Sequence, residues 1–256
     1  MGPVYSNDER VTRIWDKENV IQTINRHTYY NSGGTAQHRE ELEKLWVQET
    51  DHKATASLAF NNGYYVGIDK IAGYYVAEWE KRQYENLQHL AAEDASVKVS
   101  SENLGLGEGR MQTATTPLVY ISDDGKSARY LGYRLGYQAA GKADGSADAY
   151  MDFGLIFCDL LKEKAGWKIW HLVLQHDHTV TVGEDYAKVP VRLPFGEDPL
   201  EAAFGTPTQQ QTVYEPFFGW ENLYLDMPRP YETYNDKESY GPLGDLGKPY
   251  YQRERR

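Results

Sequence analysis

The chain has 256 residues and a formal net charge of −11, which allows one large domain, or a medium domain with an appendage, and opposes binding to phosphate backbones. No basic stripe with interleaved aromatics offsets that charge. A single cysteine, Cys158, excludes an intramolecular disulfide and a cysteine-rich zinc site. Met1 leads into the polar run Pro3–Arg13 rather than an apolar signal core, and no stretch approaches membrane-spanning length, so a cytoplasmic location is expected. Hydrophobic residues make up 40%, with 21 Tyr against 7 Phe. Tyrosine combines apolar area with a polar tip, which suits pocket walls and wet interfaces. The expected partners are a small molecule and further copies of the chain, with no nucleic acid and no membrane.

In chain order, Asp16 is a candidate cap for a helix with Val20, Ile21 and Ile24 at helical spacing, ending at Ser32-Gly33-Gly34. Thr35 opens a second helix with Leu42, Leu45 and Trp46 on its buried side. Residues 53–60 read as a strand and Asn61-Asn62-Gly63 as a turn. Asp69 then opens a longer helix with Ile71, Tyr75 and Trp79 as its spine. Residues 93–113, with Gly105, Gly107 and Gly109, read as an insertion. Strands follow over Pro117–Ser122, Ala128–Ala139, Tyr150–Leu161 and Trp167–Val182, the first two joined by Asp123-Asp124-Gly125. Helices first and an antiparallel meander second define an α+β class.

Beyond Asp185 the composition changes. Pro3 and Pro117 are the only two of the 11 prolines before Pro190, and aromatics such as Phe217, Phe218, Trp220, Tyr234 and Tyr240 are scattered through the remainder. A disordered tail is poor in aromatics, so residues 186–256 are expected to form an extended, irregular arm on a surface, and residues 1–185 the globular domain.

Several of these segments resemble the SnoaL-like, nuclear transport factor 2-like superfamily. They are Val20–Gly34, Leu45–Leu58, Asn61–Tyr75 and the final Gly166-Trp167-Lys168-Ile169-Trp170-His171. The likeness covers roughly residues 15–182. It implies a cone-shaped barrel in which N-terminal helices pack on a curved, mainly antiparallel sheet, and proton-transfer chemistry with no cofactor. The family includes ketosteroid isomerase, scytalone dehydratase, polyketide cyclases and lyases of lignin-derived diaryl compounds, together with non-catalytic members. This chain departs from ketosteroid isomerase where that enzyme has a carboxylate base: the segment reads Phe60-Asn61-Asn62, and an amide cannot be that base. The isomerase's phenolic donor falls near His27.

Four residues are the expected catalytic set: His27, Tyr30, Asp159 and His176. His27 and Tyr30 stand at i and i+3 on one helix face. An imidazole is the natural acid–base group near neutrality, and a phenol can donate to a developing oxyanion. By alternation His176 shares a face with Trp170, Leu172 and Leu174, and His171 falls on the opposite face with Trp167, Ile169 and Val173. Asp159 lies on an apolar strand face and is expected to orient His27 or His176, or to pair with Arg134 or Lys168. Asp152 lies on the other face of that strand, so parity alone does not single out Asp159. Asn61, Tyr64, Tyr133 and His178 are expected to bind substrate. His176 and His178 have the spacing of a chelating pair, but no third ligand is apparent, so no metal is expected.

The resulting expectation is a cofactor-independent lyase acting on a hydroxylated aromatic or polycyclic molecule, by dehydration or by retro-aldol-like loss of formaldehyde from an aromatic diol. An isomerase or polyketide-type cyclase using the same pocket, and a non-catalytic binding or assembly protein, are the alternatives. A homo-oligomer, dimer or trimer, is expected from the aromatic arm.

Overall fold

In the computed structural model the described residues are 5–60, 63–141, 147–183, 208–210 and 227–246. The first helix, α1 (Asn7–Asn31), begins nine residues before the expected cap at Asp16. Its start is a capping box: the Ser6 hydroxyl accepts from the Glu9 amide while Glu9 accepts from the Ser6 amide. Asp16 lies inside the helix, buried, where it accepts from Lys162 Nζ at 2.7 Å and Trp167 Nε1 at 2.9 Å. Helix α2 (Thr35–Lys44) follows, capped at Gly34.

A short α3 (Thr50–Thr55) occupies the start of the expected first strand, which shortens to β1 (Ser57–Phe60). Gly63-Tyr64-Tyr65-Val66 then forms β2, paired antiparallel to β1. The long helix runs as α4 (Ile68–Ala72), a π-helical turn over Gly73–Glu78, and α5 (Trp79–Glu93). Ile71, Tyr75 and Trp79 are buried along it, as expected of its spine.

Four long strands complete the sheet: β3 (Gly109–Ile121), β4 (Ser127–Gly141), β5 (Ala147–Glu163) and β6 (Gly166–Thr181). Strand β3 takes up the end of the expected insertion, and bulges at Thr116-Pro117, where Thr116 has φ 54°. With the two-residue β7 (Gln209–Gln210), the order is β3-β4-β5-β6-β1-β2-β7. Strand β1 runs parallel to β6 and every other pair is antiparallel. The fold is therefore α+β, and the sheet is not closed, because β3 and β7 stand at opposite ends of it.

The two faces of the sheet carry different cores. The helix-facing core joins Val20, Ile24, Trp46, Ile71 and Tyr75 to Leu58, Tyr130, Ile156, Cys158, Leu172 and Leu174. On the opposite face a smaller cluster, Ala59, Phe157 and Val173 with Tyr64, packs against Tyr240. Residues 231–246 supply that cover. Asp123 and Asp124 amides donate to the Tyr231 and Glu232 carbonyls, and the Arg129 guanidinium lies 3.8 Å over the Tyr231 ring.

Asp159 belongs to this covered face, not to either imidazole expected to use it. Its Oδ2 accepts from the Tyr240 amide at 2.6 Å, and Arg129 Nε stands 4.0 Å from Oδ1. Burial pushes the carboxyl up to about 7 against the pull of the Tyr240 amide and Arg129. Opposite it in the β5–β6 register, His171 meets Ser57 Oγ at 2.9 Å and the Tyr234 hydroxyl at 3.3 Å. Burial brings His171 down to about 3. Tyr64, an expected substrate contact, donates to the Tyr240 carbonyl at 3.2 Å under the same cover.

These two groups pull stability in opposite directions with pH. His171 has a lowered folded pKa, so its contribution falls as pH drops below about 6.5, where the unfolded imidazole protonates. Asp159 has a raised folded pKa, so its contribution falls as pH rises from about 4 to about 7. Relative to the parent chain, His171→Asn should gain stability on acidification below about 6.5, by up to about 1.4 kcal/mol per pH unit. Asp159→Asn should gain as pH rises across about 4 to 7. Urea midpoints measured across that range check both signs.

Candidate functional site

The helix-facing side of β6 places His176 beside β5. Two bulges in the β5–β6 pairing set its direction, one passing Trp170 and one passing Asp177. Between them the run 171–176 alternates without interruption, so Leu172, Leu174 and His176 share the helix-facing side while His171 and Val173 face residues 231–246. Trp167 and Ile169, expected beside His171, instead belong to the helix-facing core, because the extra residue at Trp170 reverses the phase.

The carboxylate beside His176 is Asp152. Nδ1 lies 2.7 Å from Asp152 Oδ1, and the Arg134 guanidinium pairs with Oδ2 of the same carboxylate. Arg134 Nη1 also lies 3.3 Å from His176 Nε2. Asp152 is 8% exposed and the imidazole about one-third exposed. A carboxylate on Nδ1 makes that nitrogen the donor and leaves Nε2 as the basic atom.

Aromatic rings line the next layer. Phe60, from the end of β1, lies 6.0 Å from the His176 ring and 5.0 Å from Tyr74. Tyr65 lies 5.2 Å from Tyr74. The π-helical turn makes this grouping possible. Its wider spacing lets consecutive residues Tyr74 and Tyr75 both face the protein interior, Tyr74 toward Phe60 and Tyr65, Tyr75 toward Asn31 and His38. The Tyr75 hydroxyl accepts from Asn31 Nδ2 at 3.3 Å. Burial first, then the charge of Glu41, raises this phenol well above its ordinary value, so it is a proton donor at neutral pH.

Of the expected catalytic set, only His176 stands at this constellation. His27 is 2% exposed, and its Nδ1 lies 2.8 Å from Glu41 Oε1, which also accepts from Trp46 Nε1 at 3.0 Å. That arrangement ties α1 to α2. Tyr30 is half-buried and donates to Glu40 at 3.1 Å on the outer side of the helix pair. Its ring packs against the helix-facing core and only its hydroxyl reaches α2. Tyr133 is 57% exposed and pairs with Leu155 on the side of the sheet opposite Arg134. Asn61 lies outside the described residues. His178 pairs with Phe153 in the backbone register, and its side chain lies outside the described residues.

Asp152, Arg134, Tyr65, Tyr74 and Tyr75 complete the group. Asp152 is the member that strand parity could have offered, since it alternates with Ile156 and Leu160. Among the described residues, one further cluster has ligand atoms close enough for a metal: Glu49, His52 and Glu163, all within 4.8 Å. There Glu163 accepts from the Gln48 and Glu49 amides and meets His52 Nδ1 at 3.1 Å, which secures the start of α3 against the end of β5.

No protein-family model and no curated relative matches the sequence. Solved structures do show similarity. A provisionally assigned scytalone dehydratase from Novosphingobium aromaticivorans is 13% identical over 75% of this chain and 98% of its own, with a TM-score of 0.47. A nuclear transport factor 2-like protein from Salmonella enterica is 15% identical over 68% and 99%, with a TM-score of 0.41. A hexachlorocyclohexane dehydrochlorinase is 10% identical over 72% and 98%, with a TM-score of 0.41. Of these three, the Salmonella protein is described as a member of the nuclear transport factor 2-like superfamily.

Gly154 faces His176 across the bulge, and a Cβ placed on it would lie 1.8 Å from the Gln175 carbonyl oxygen. Gly73, at the start of the π-helical turn, has open space where a Cβ would stand. Gly154→Ala is expected to cost roughly 3 kcal/mol or more by forcing the bulge apart. Gly73→Ala should be neutral or stabilising by about 0.5–1 kcal/mol. Thermal unfolding of the two variants side by side tests the contrast.

Proposed function

We propose that the chain is a cofactor-independent lyase acting on a hydroxylated aromatic molecule. The observation that carries this reading is the His176–Asp152 pair, 2.7 Å apart and backed by Arg134, beside the rings of Phe60 and Tyr74. Asp152 holds the Nδ1 proton and orients the ring, and Nε2 takes a proton from the substrate. In a dehydration that proton comes from the carbon beside the one bearing the hydroxyl. Its electron pair forms the new double bond, and the hydroxyl leaves as water with a proton from a donor. In loss of formaldehyde the proton comes from a primary hydroxyl. Its O–H pair becomes the carbonyl of formaldehyde, and the C–C pair moves inward to expel the second hydroxyl as water.

Both routes need a base and a donor. His176 is the base, and a hydroxyl of the neighbouring tyrosines, with Tyr74 beside Phe60, takes the donor role expected of Tyr30. The tyrosine-rich surround favours an aromatic diol over an aliphatic one, because ring–ring contacts add to burial.

Purified protein assayed against phenolic diols, with detection of formaldehyde or a change in ultraviolet absorbance, tests the reading. His176→Ala and Asp152→Asn should each lower turnover by roughly a hundredfold or more. His27→Ala should lower stability before it lowers turnover per folded molecule. Normal turnover in both the His176 and Asp152 variants would end this mechanism.

A further inference from the structure

The first half of α1 turns its apolar side outward. Val11, Ile14 and Trp15 stand at i, i+3 and i+4 on one helix face, and all three are more than half exposed. Farther along the same face, Tyr29 is 80% exposed. Glu18, Gln22 and Asn25 fill the stripe between them, with Gln22 donating to Glu18 at 2.8 Å. The other side of the helix fixes this direction. There Arg13 donates to the Ile121 and Ser122 carbonyls, and buried Asp16 accepts from Lys162 and Trp167.

The order of residues along the stripe is self-complementary. Val11, Trp15, Glu18, Gln22, Asn25 and Tyr29 follow alternating steps of four and three, the spacing of a helix-pair seam. In an antiparallel pair of two such helices, Val11 meets the partner's Tyr29 and Trp15 meets the partner's Asn25. The exposed guanidinium of the partner's Arg26 then lies beside the Trp15 indole, a favourable pairing. Glu18 faces the partner's Gln22, an acceptor against a donor. A parallel pair would set Glu18 against the same carboxylate of the partner, with like charges opposed.

Area and charge favour a second copy as the occupant. Trp15 is 63% exposed. At about 200 Å² for a whole aromatic side chain, Trp15 and Tyr29 together present roughly 250–300 Å² per copy. Two copies, with Val11 and Ile14 added, approach the roughly 1,000 Å² that a specific interface needs. Helix α1 has four acidic and four basic residues, so it carries no net charge in a chain of −11. Two copies therefore meet here with little of the repulsion that their overall charge produces. The same balance disfavours a membrane surface, which attracts basic amphipathic helices.

We propose that this face of α1 is a homodimer interface, with two copies of α1 packed antiparallel about a two-fold axis level with Val20. The proposal is independent of the catalytic reading.

Sedimentation velocity of the full chain over a range of concentrations tests it, and should show a monomer–dimer equilibrium. Trp15→Glu and Tyr29→Glu should each weaken the dimer by about tenfold or more, the scale of a central aromatic contact. Their circular dichroism should match the parent's, since both side chains are exposed. Tyr133→Glu, at an exposed ring on the sheet, should leave the dimer unchanged. A short bismaleimide should join Val11→Cys to Tyr29→Cys when the two variants are mixed, and join neither variant to itself. Cys158 is buried and does not compete. A parent chain that stays monomeric, whether the face is bare or covered by the chain's own residues, overturns the proposal. So does a dimer that the Trp15 and Tyr29 variants leave intact, or one that Tyr133→Glu alone disrupts. Cross-linking of Val11→Cys to itself overturns the antiparallel arrangement.

Discussion

Strand β6 is paired along both edges, to β5 over most of its length and to β1 near its middle. A strand held in this way can accommodate an extra residue only by bulging, and each bulge exchanges the faces beyond it. The bulges at Trp170 and Asp177 therefore set the direction of every side chain between them. They turn His171 toward the chain's C-terminal stretch and His176 toward the helices. The site and the cover over the sheet's other face are thus two results of one register.

Carboxylates buried against ring nitrogens and backbone amides recur as fastenings. Glu41 holds His27 and Trp46, Asp16 holds Trp167 and Lys162, and Asp159 holds the amide of Tyr240. A buried carboxylate is costly unless such donors satisfy it, and removing one partner leaves the charge exposed to an apolar interior. Asp152 uses the same chemistry at His176 but at the edge of the core, where the imidazole retains some exposure. That difference in exposure distinguishes a fastening from a site. His27 lies against Glu41 and His176 against Asp152, and only the second imidazole also borders solvent.

Much of this architecture is legible in the residues. The inward run Leu172, Leu174, His176 follows from spacing because no bulge falls inside it, and Ile71, Tyr75 and Trp79 stay buried across the π-helical turn that lies between them. The choice between Asp152 and Asp159 does not follow. Strand β5 is covered on both faces, so both of its side-chain rows read as apolar and parity cannot say which face carries the site. The early part of α1 is hidden for a related reason: its apolar residues Val11, Ile14 and Trp15 are exposed and mark no core face, so only the Ser6–Glu9 box marks its start. The π-helical turn leaves no mark in composition. An extra residue in a helix shifts the phase without changing the kind of residue, so the Tyr74-Tyr75 pair reads as ring walls and hydroxyl donors from its residue types, while the turn that lets both face inward goes unseen. Tyr64 and Tyr65 are alike as letters, and the strand pleat sends them to opposite faces.

Cys158 sits on β5 among the helix-facing core residues, next in sequence to the aspartate that anchors Tyr240. Its thiol is fully buried, and burial pushes its pKa well above the ordinary value. A thiolate can form there only when the central strands part from the helices. The chain thus carries its own reporter of opening: the rate at which that thiol becomes available to a reagent measures how often the middle of the sheet is laid bare. No fluorophore or isotope label is required to follow it.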